Sequence, residues 1–296
     1  MTHNSVSTAL KGFLMGAANV VPGVSGGTIA LITGIYAEII EALNSLMVPQ
    51  TWKALLSGDF RRFWNSIHGS FCLALAIGVI ASVFSLAKFM TYALGNFPVQ
   101  TWAFFFGLIL ASAAIMFRDI KDWKMRDILL AVAGVITGVV VCTLSPTRTP
   151  DEMWFIFICG AIAICTMILP GISGSFILLL FCKYDYIMDA IARLDIPVLA
   201  VFGAGCLVGI LAFSKFLHWL LARRERETML VLLGFIIGSL IKVWPWSNPD
   251  AICKAQNLPS GSIYDPHYGA AVLWCLAGIA IGVAIDIAGR KSSDAS

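Results

Sequence analysis

Two short stretches set proline, glycine and serine into otherwise apolar surroundings: VVPGVSGGTIALITG at 20–34 and ILPGISGSFILLLFCK at 168–183. A proline lacks an amide donor and ends an incoming helix, and glycines permit a tight reversal of the chain. Ser25, Thr28, Ser173 and Ser175 then stand where a side chain can cap or flank an outgoing helix. Free amides and the positive end of a helix dipole at such a point suit an anion such as phosphate. The candidate substrate-binding residues are therefore Gly23, Ser25, Gly26, Gly27 and Thr28, with Gly171, Ser173, Gly174 and Ser175. A hairpin kept only for folding would give no reason for two such tips.

A nucleophile is the competing chemistry. Gly23, Ser25 and Gly27 satisfy GxSxG, and GVSG is similar to the GxSG of rhomboid-like intramembrane serine proteases. A serine nucleophile needs a base. His3, His68 and His267 fall in termini or loops, and His218 lies at a span end beside Lys215 and Arg223. No histidine is expected at hairpin depth, so no catalytic residue is assigned. The eight cysteines show no metal-ligand spacing, and seven of them lie in or beside apolar stretches, as small buried residues do. No metal or cofactor is expected.

Acids follow each proline-glycine stretch. Glu38 and Glu41 come after the first, Asp185 and Asp189 after the second, with Tyr36 and Tyr184 at matching places. Carboxylates beside a membrane cavity can carry protons for coupled transport; at the interface they are ordinary. Lys88 and Lys242 fall near span ends, where snorkelling places an ammonium, and a contact with substrate phosphate is the other reading. Asp286 is expected at the interface.

These groups must be positioned by membrane-spanning helices. Hydrophobic residues make up 59% of the chain, charged residues 12%, and the mean hydropathy is +0.86, far beyond what a soluble core needs. The net charge of +3 and the lack of a basic cluster argue against a nucleic-acid partner. No cleavable signal is expected at the N-terminus. Six segments approach the ~20 residues that cross a bilayer: 69–93, 101–117, 128–145, 196–220, 229–244 and 268–285.

The positive-inside rule places Lys53, Arg61, Arg62, Arg118, Lys121, Lys124, Arg126, Arg223, Arg224, Arg226, Arg290 and Lys291 in the cytoplasm. Both termini are then cytoplasmic. Segment 128–145 exits to the outside and 196–220 must re-enter, so the region 154–183 has to start and finish outside. Two full crossings need about forty apolar residues, and that region has 30. The remaining option is a re-entrant helical hairpin. By the same count the first hairpin, within 10–40, enters and leaves from the cytoplasm.

The two hairpins align without a gap. Residues 22–43 match 170–191 at an offset of 148, identical at nine of 22 positions, including an ordered PGxSG and the tyrosine 14 residues after its proline. GLILAS at 107–112 is echoed by GFIIGS at 234–239. Each half is thus one hairpin plus three transmembrane helices, and three spans invert the second half. The expected fold is an all-α polytopic membrane protein with an inverted-topology repeat in one membrane domain. The first repeat covers 8–145, with its tip near 22–28, and the second covers 154–290, with its tip near 170–176.

PGVSGGTIALITGIYAEII, ILPGISGSFILLLFCKYDYI, FFFGLILAS and LLGFIIGSLIKVWPW resemble the signature stretches of the bacterial polyprenyl-phosphate transporter family. The resemblance covers nearly the whole chain and extends in architecture to the DedA-type translocases. It implies a lipid partner, undecaprenyl phosphate, moved from the outer to the inner leaflet of the cytoplasmic membrane for reuse in peptidoglycan and envelope polymers. Ion- or proton-coupled alternating access is the implied mechanism, and a carrier or channel for a small anion is the rival. The second tip has Ser175 for Gly27 and Phe176 for Thr28, which favours the first tip as the stronger site. Composition and spacing do not determine the oligomeric state.

Overall fold

The computed structural model describes residues 5–20, 25–147, 149–171 and 173–294, so that Gly23 lies outside the described residues. Every regular element among them is a helix. The chain begins with α1 (Ser5–Val20), α2 (Gly26–Ile32) and α3 (Tyr36–Ser45), and two short helices, α4 (Pro49–Leu56) and α5 (Phe60–Ser66), follow. Three long helices come next: α6 (Gly69–Asn96), α7 (Pro98–Asp119) and α8 (Met125–Thr143). The pattern then restarts with α9 (Met153–Ile168), α10 (Gly174–Leu180) and α11 (Tyr184–Arg193). The chain ends with α12 (Ile196–Ser239), the short α13 (Pro249–Ala255) and α14 (Tyr268–Asp294).

The two broken regions share one plan: arms of 16, 7 and 10 residues in that order. At 1.5 Å per residue the incoming arm is about 24 Å long and the first helix of the return about 10 Å. The hairpins are therefore unequal-armed, and α3 and α11 complete the return. Gly34, at φ 72°, makes the break between α2 and α3.

Five helices, α6, α7, α8, α12 and α14, are long and apolar enough to cross a membrane. Six spans are expected from the sequence, and the difference lies in α12, a helix of 44 residues interrupted only at Arg224 (φ −143°, ψ 47°). The RRER run, expected as a loop, is a one-residue kink between two helical arms. Arginine and glutamate are good helix formers, and Glu227 joins the kink to α8 by accepting from both Arg224 (3.2 Å) and Arg126 (3.1 Å). The segment expected to span through residue 244 leaves the helix after Ser239.

The long helices pair in parallel, through glycines that let backbones touch. Gly78 of α6 faces the Ala9 carbonyl, and Gly12 and Gly16 of α1 face the carbonyls of Leu75 and Val79. From Gly12 on Leu75 to Gly16 on Val79 the contacts rise together along both helices, so α1 and α6 start from the same end, and α2–α5 must bring the chain back to it. A single crossing would have made them antiparallel. The same holds for α9 on the first arm of α12, where Gly205 faces the Phe157 carbonyl and Gly209 the Ala161 carbonyl. Across the halves, α7 runs along α14, with Gly107 on the Cys275 carbonyl and Gly278 on the Phe104 carbonyl. Likewise α8 runs along the second arm of α12, with Gly234 on the Ala131 carbonyl and Gly134 on the Val231 carbonyl.

Ion pairs tie these helices at the end rich in arginine. Arg118 reaches Asp286 (3.0 Å) between α7 and α14, and Arg226 reaches Asp127 (2.7 Å) between α12 and α8. Asp286, at this same end, is buried within the protein, with Arg118 as its counter-charge. At the opposite end the buried Lys183 donates to Asp151 and to the Thr149 carbonyl, strapping the loop before α9 over the end of α10.

Candidate functional site

The two hairpin tips meet each other. Ser25 is the N-cap of α2: its Oγ accepts from the Gly27 amide (3.1 Å) and donates to the Leu169 carbonyl of the other hairpin (3.0 Å). Thr28 accepts from the Gly171 amide at 3.0 Å. A side chain on Gly27 would stand 2.5 Å from the Ile168 carbonyl, so only glycine lets α2 lie this close to the second hairpin. Both Ser25 and Thr28 are 1% exposed.

Among the described residues of the first tip the amides expected to be free have acceptors. Gly26 donates to the Asn19 side-chain oxygen (2.7 Å), Gly27 to Ser25, and Thr28 to the Ser25 carbonyl (3.1 Å). Asn19 is a residue the motif reasoning passed over. The signal was present: it is an amide on an apolar arm, seven positions before the amide it receives. A buried amide without a partner costs about 1–3 kcal/mol, which accounts for a polar residue at that depth.

The second tip is less engaged. Ser173 occupies the N-cap position of α10 but does not cap; its hydroxyl is 2.6 Å from that of Ser175. Both serines are half-buried, and the amides of Gly174 and Ser175 find no acceptor among the described residues. Gly171 takes φ 94° and packs beside Ser239, where an added side chain would come within 2.7 Å of the serine hydroxyl. Gly174 sits against the Ala163 carbonyl, 2.7 Å from where its side chain would begin.

The four acids are not gathered at the tips. Glu41, Asp185 and Asp189 are exposed on α3 and α11. Glu38 is half-buried and 3.8 Å from His68, at the foot of α6, with Lys11 in electrostatic reach. Nearby Tyr36 is 3% exposed, its hydroxyl without a hydrogen-bond partner. Ser25 has backbone partners and no histidine, so its geometry is that of a cap and a strut between hairpins. The side chain of Lys88 is outside the described residues, whereas Lys242 lies over the Phe176 ring.

Fold and tips define a polytopic helical membrane protein with paired broken hairpins. The chain belongs to the undecaprenyl phosphate translocase-like family, whose model matches residues 15–258. It is 44% identical over 248 residues to a polyprenyl-phosphate transporter of Vibrio cholerae serotype O1, covering 83% of this chain and 79% of that protein. It is 34% identical over 255 residues to a polyprenyl-phosphate transporter of Staphylococcus aureus, covering 80% of this chain and 85% of that protein. No solved structure matches it.

Proposed function

We propose that this chain moves polyprenyl phosphate, undecaprenyl phosphate in particular, from the outer to the inner leaflet of the bacterial cytoplasmic membrane. The relatives' names supply the substrate class. The single observation in the molecule that favours an anionic headgroup is the second tip, where two hydroxyls face each other and two amides have no acceptor among the described residues. The phosphate is held there first, by Ser173, Gly174 and Ser175 with Gly171 behind them. The first tip, with Ser25, Gly26, Gly27 and Thr28, takes over when the tip-to-tip bonds part.

Alternating access follows from two halves related by an inverted repeat. Equal arm lengths and repeated glycine contacts support the relation: Gly12 and Gly160 are 148 apart, Gly107 and Gly234 127 apart, and each faces a carbonyl of its partner helix. The arginine-rich end, with both termini, is cytoplasmic by the positive-inside rule. Of the four acids Glu38 is the one placed for coupling, because it is half-buried between the first hairpin and α6.

The test is movement of a polyprenyl phosphate between leaflets of vesicles holding only this protein, with and without a pH gradient. Movement that a gradient accelerates is expected. Binding of soluble anions with no lipid movement under any gradient would refute the reading in favour of a small-anion carrier.

A further inference from the structure

Three lysines approach the hairpins, and two have carboxylates. Lys183 has Asp151, and Lys11 lies within electrostatic reach of Glu38. Lys242, an exposed residue, faces a ring: its Nζ stands 4.5 Å from the centre of Phe176, with the Cys142 thiol in electrostatic reach and no carboxylate beside it among the described residues. A ring face is a modest partner for an ammonium compared with a charged phosphate oxygen, to which it can donate directly.

The position of that ring gives the cation its meaning. Phe176 is 9% exposed and follows Ser175 on α10. Lys242 lies one turn beyond Ser239, where the second tip touches α12, and its amide donates to the Ser239 carbonyl (2.9 Å). Its side chain therefore reaches back to α10, onto the residue that follows Ser175. Just past it, Trp244, Trp246 and Tyr268 stack edge-on or tilted, with Trp244 and Tyr268 exposed, as rings at a membrane interface are. The cation thus sits between the interface and the second tip. At the equivalent positions of the first half stand other residues: 127 residues earlier the buried Ile115, and 148 before Phe176 the buried Thr28.

We propose that Lys242 is the receiving cation for the lipid phosphate on the outer side: it waits on Phe176, leaves the ring for the arriving headgroup, and passes it to Ser173 and Ser175. The proposal rests on the headgroup reading above.

The experiment varies the outer-leaflet fraction of a polyprenyl phosphate in vesicles and compares the wild type with Lys242→Gln, Lys242→Arg and Phe176→Leu. Lys242→Gln is expected to raise the half-saturating fraction about ten-fold, with a smaller change in maximal rate, and Lys242→Arg to restore most of it. Phe176→Leu frees the ammonium from the ring and is expected to leave half-saturation within about two-fold. An unchanged half-saturation in Lys242→Gln, or a fall in maximal rate alone, would overturn the proposal while the wild type still transports. A wild type that moves no polyprenyl phosphate would instead remove the headgroup reading, and this inference with it.

Discussion

The two tips carry nearly the same letters and do different work. PGVSGGT closes on its neighbour: its serine and threonine reach the other hairpin, and its glycine admits a carbonyl at a distance no side chain tolerates. PGISGSF stays less engaged, because Ser175 bonds Ser173 and Phe176 offers a ring where the first tip has a hydroxyl. Two differences, at Gly27/Ser175 and Thr28/Phe176, separate a tip that braces its neighbour from one whose hydroxyls meet each other. Repeats thus preserve backbone geometry while single positions decide what the geometry holds.

That division can be broken at its tightest point. Gly27→Val forces the α2 backbone off the Ile168 carbonyl, and overpacking of this kind costs about 1–3 kcal/mol or more. Transport should fall at least about ten-fold, with a lowered unfolding temperature in detergent; unchanged values would show the tips need not touch. Next is Thr28→Val, which keeps the shape but leaves the Gly171 amide without its acceptor. A stability loss of about 1–3 kcal/mol is expected, read by thermal unfolding, with little change in half-saturating lipid.

Asn19→Ala removes the acceptor of the Gly26 amide and should cost about 1 kcal/mol in the same measurement. The smallest stability effect belongs to the second tip. Ser173→Ala with Ser175→Ala should leave unfolding within about 0.5 kcal/mol and raise half-saturating lipid several-fold. If the double variant proves the less stable and Thr28→Val the weaker binder, the roles of the two tips are reversed.

Much of the frame was legible from hydrophobic runs and arginine positions, because the bilayer demands both. The run 69–93 became α6 with its first residue at Gly69, and α1 runs parallel to it. What escaped was local and three-dimensional. A run such as RRER signals a cytoplasmic turn by charge, yet its residues favour helix, so that α12 bends at Arg224 without stopping. The tip serines read as capping groups, but whether a hydroxyl faces a ligand or a neighbouring carbonyl depends on a contact 144 residues away. Asn19 and the strap from Asp151 to Lys183 belong to no motif, so only folding brings out their roles.

The glycine contacts between long helices also divide the molecule mechanically. The hairpin arm α1 lies on α6 of its own half, and α9 on the first arm of α12 of its own half, which makes two leaves. In contrast α7 grips α14, and α8 grips the second arm of α12, across the halves, which makes one woven chassis of four helices. Backbone resting on backbone leaves no side-chain slack for sliding within either unit. Relative movement of these units is then a swing of the leaves against the chassis rather than a slide, and for the leaf on α12 the single non-helical residue at Arg224 is the place where the helix bends.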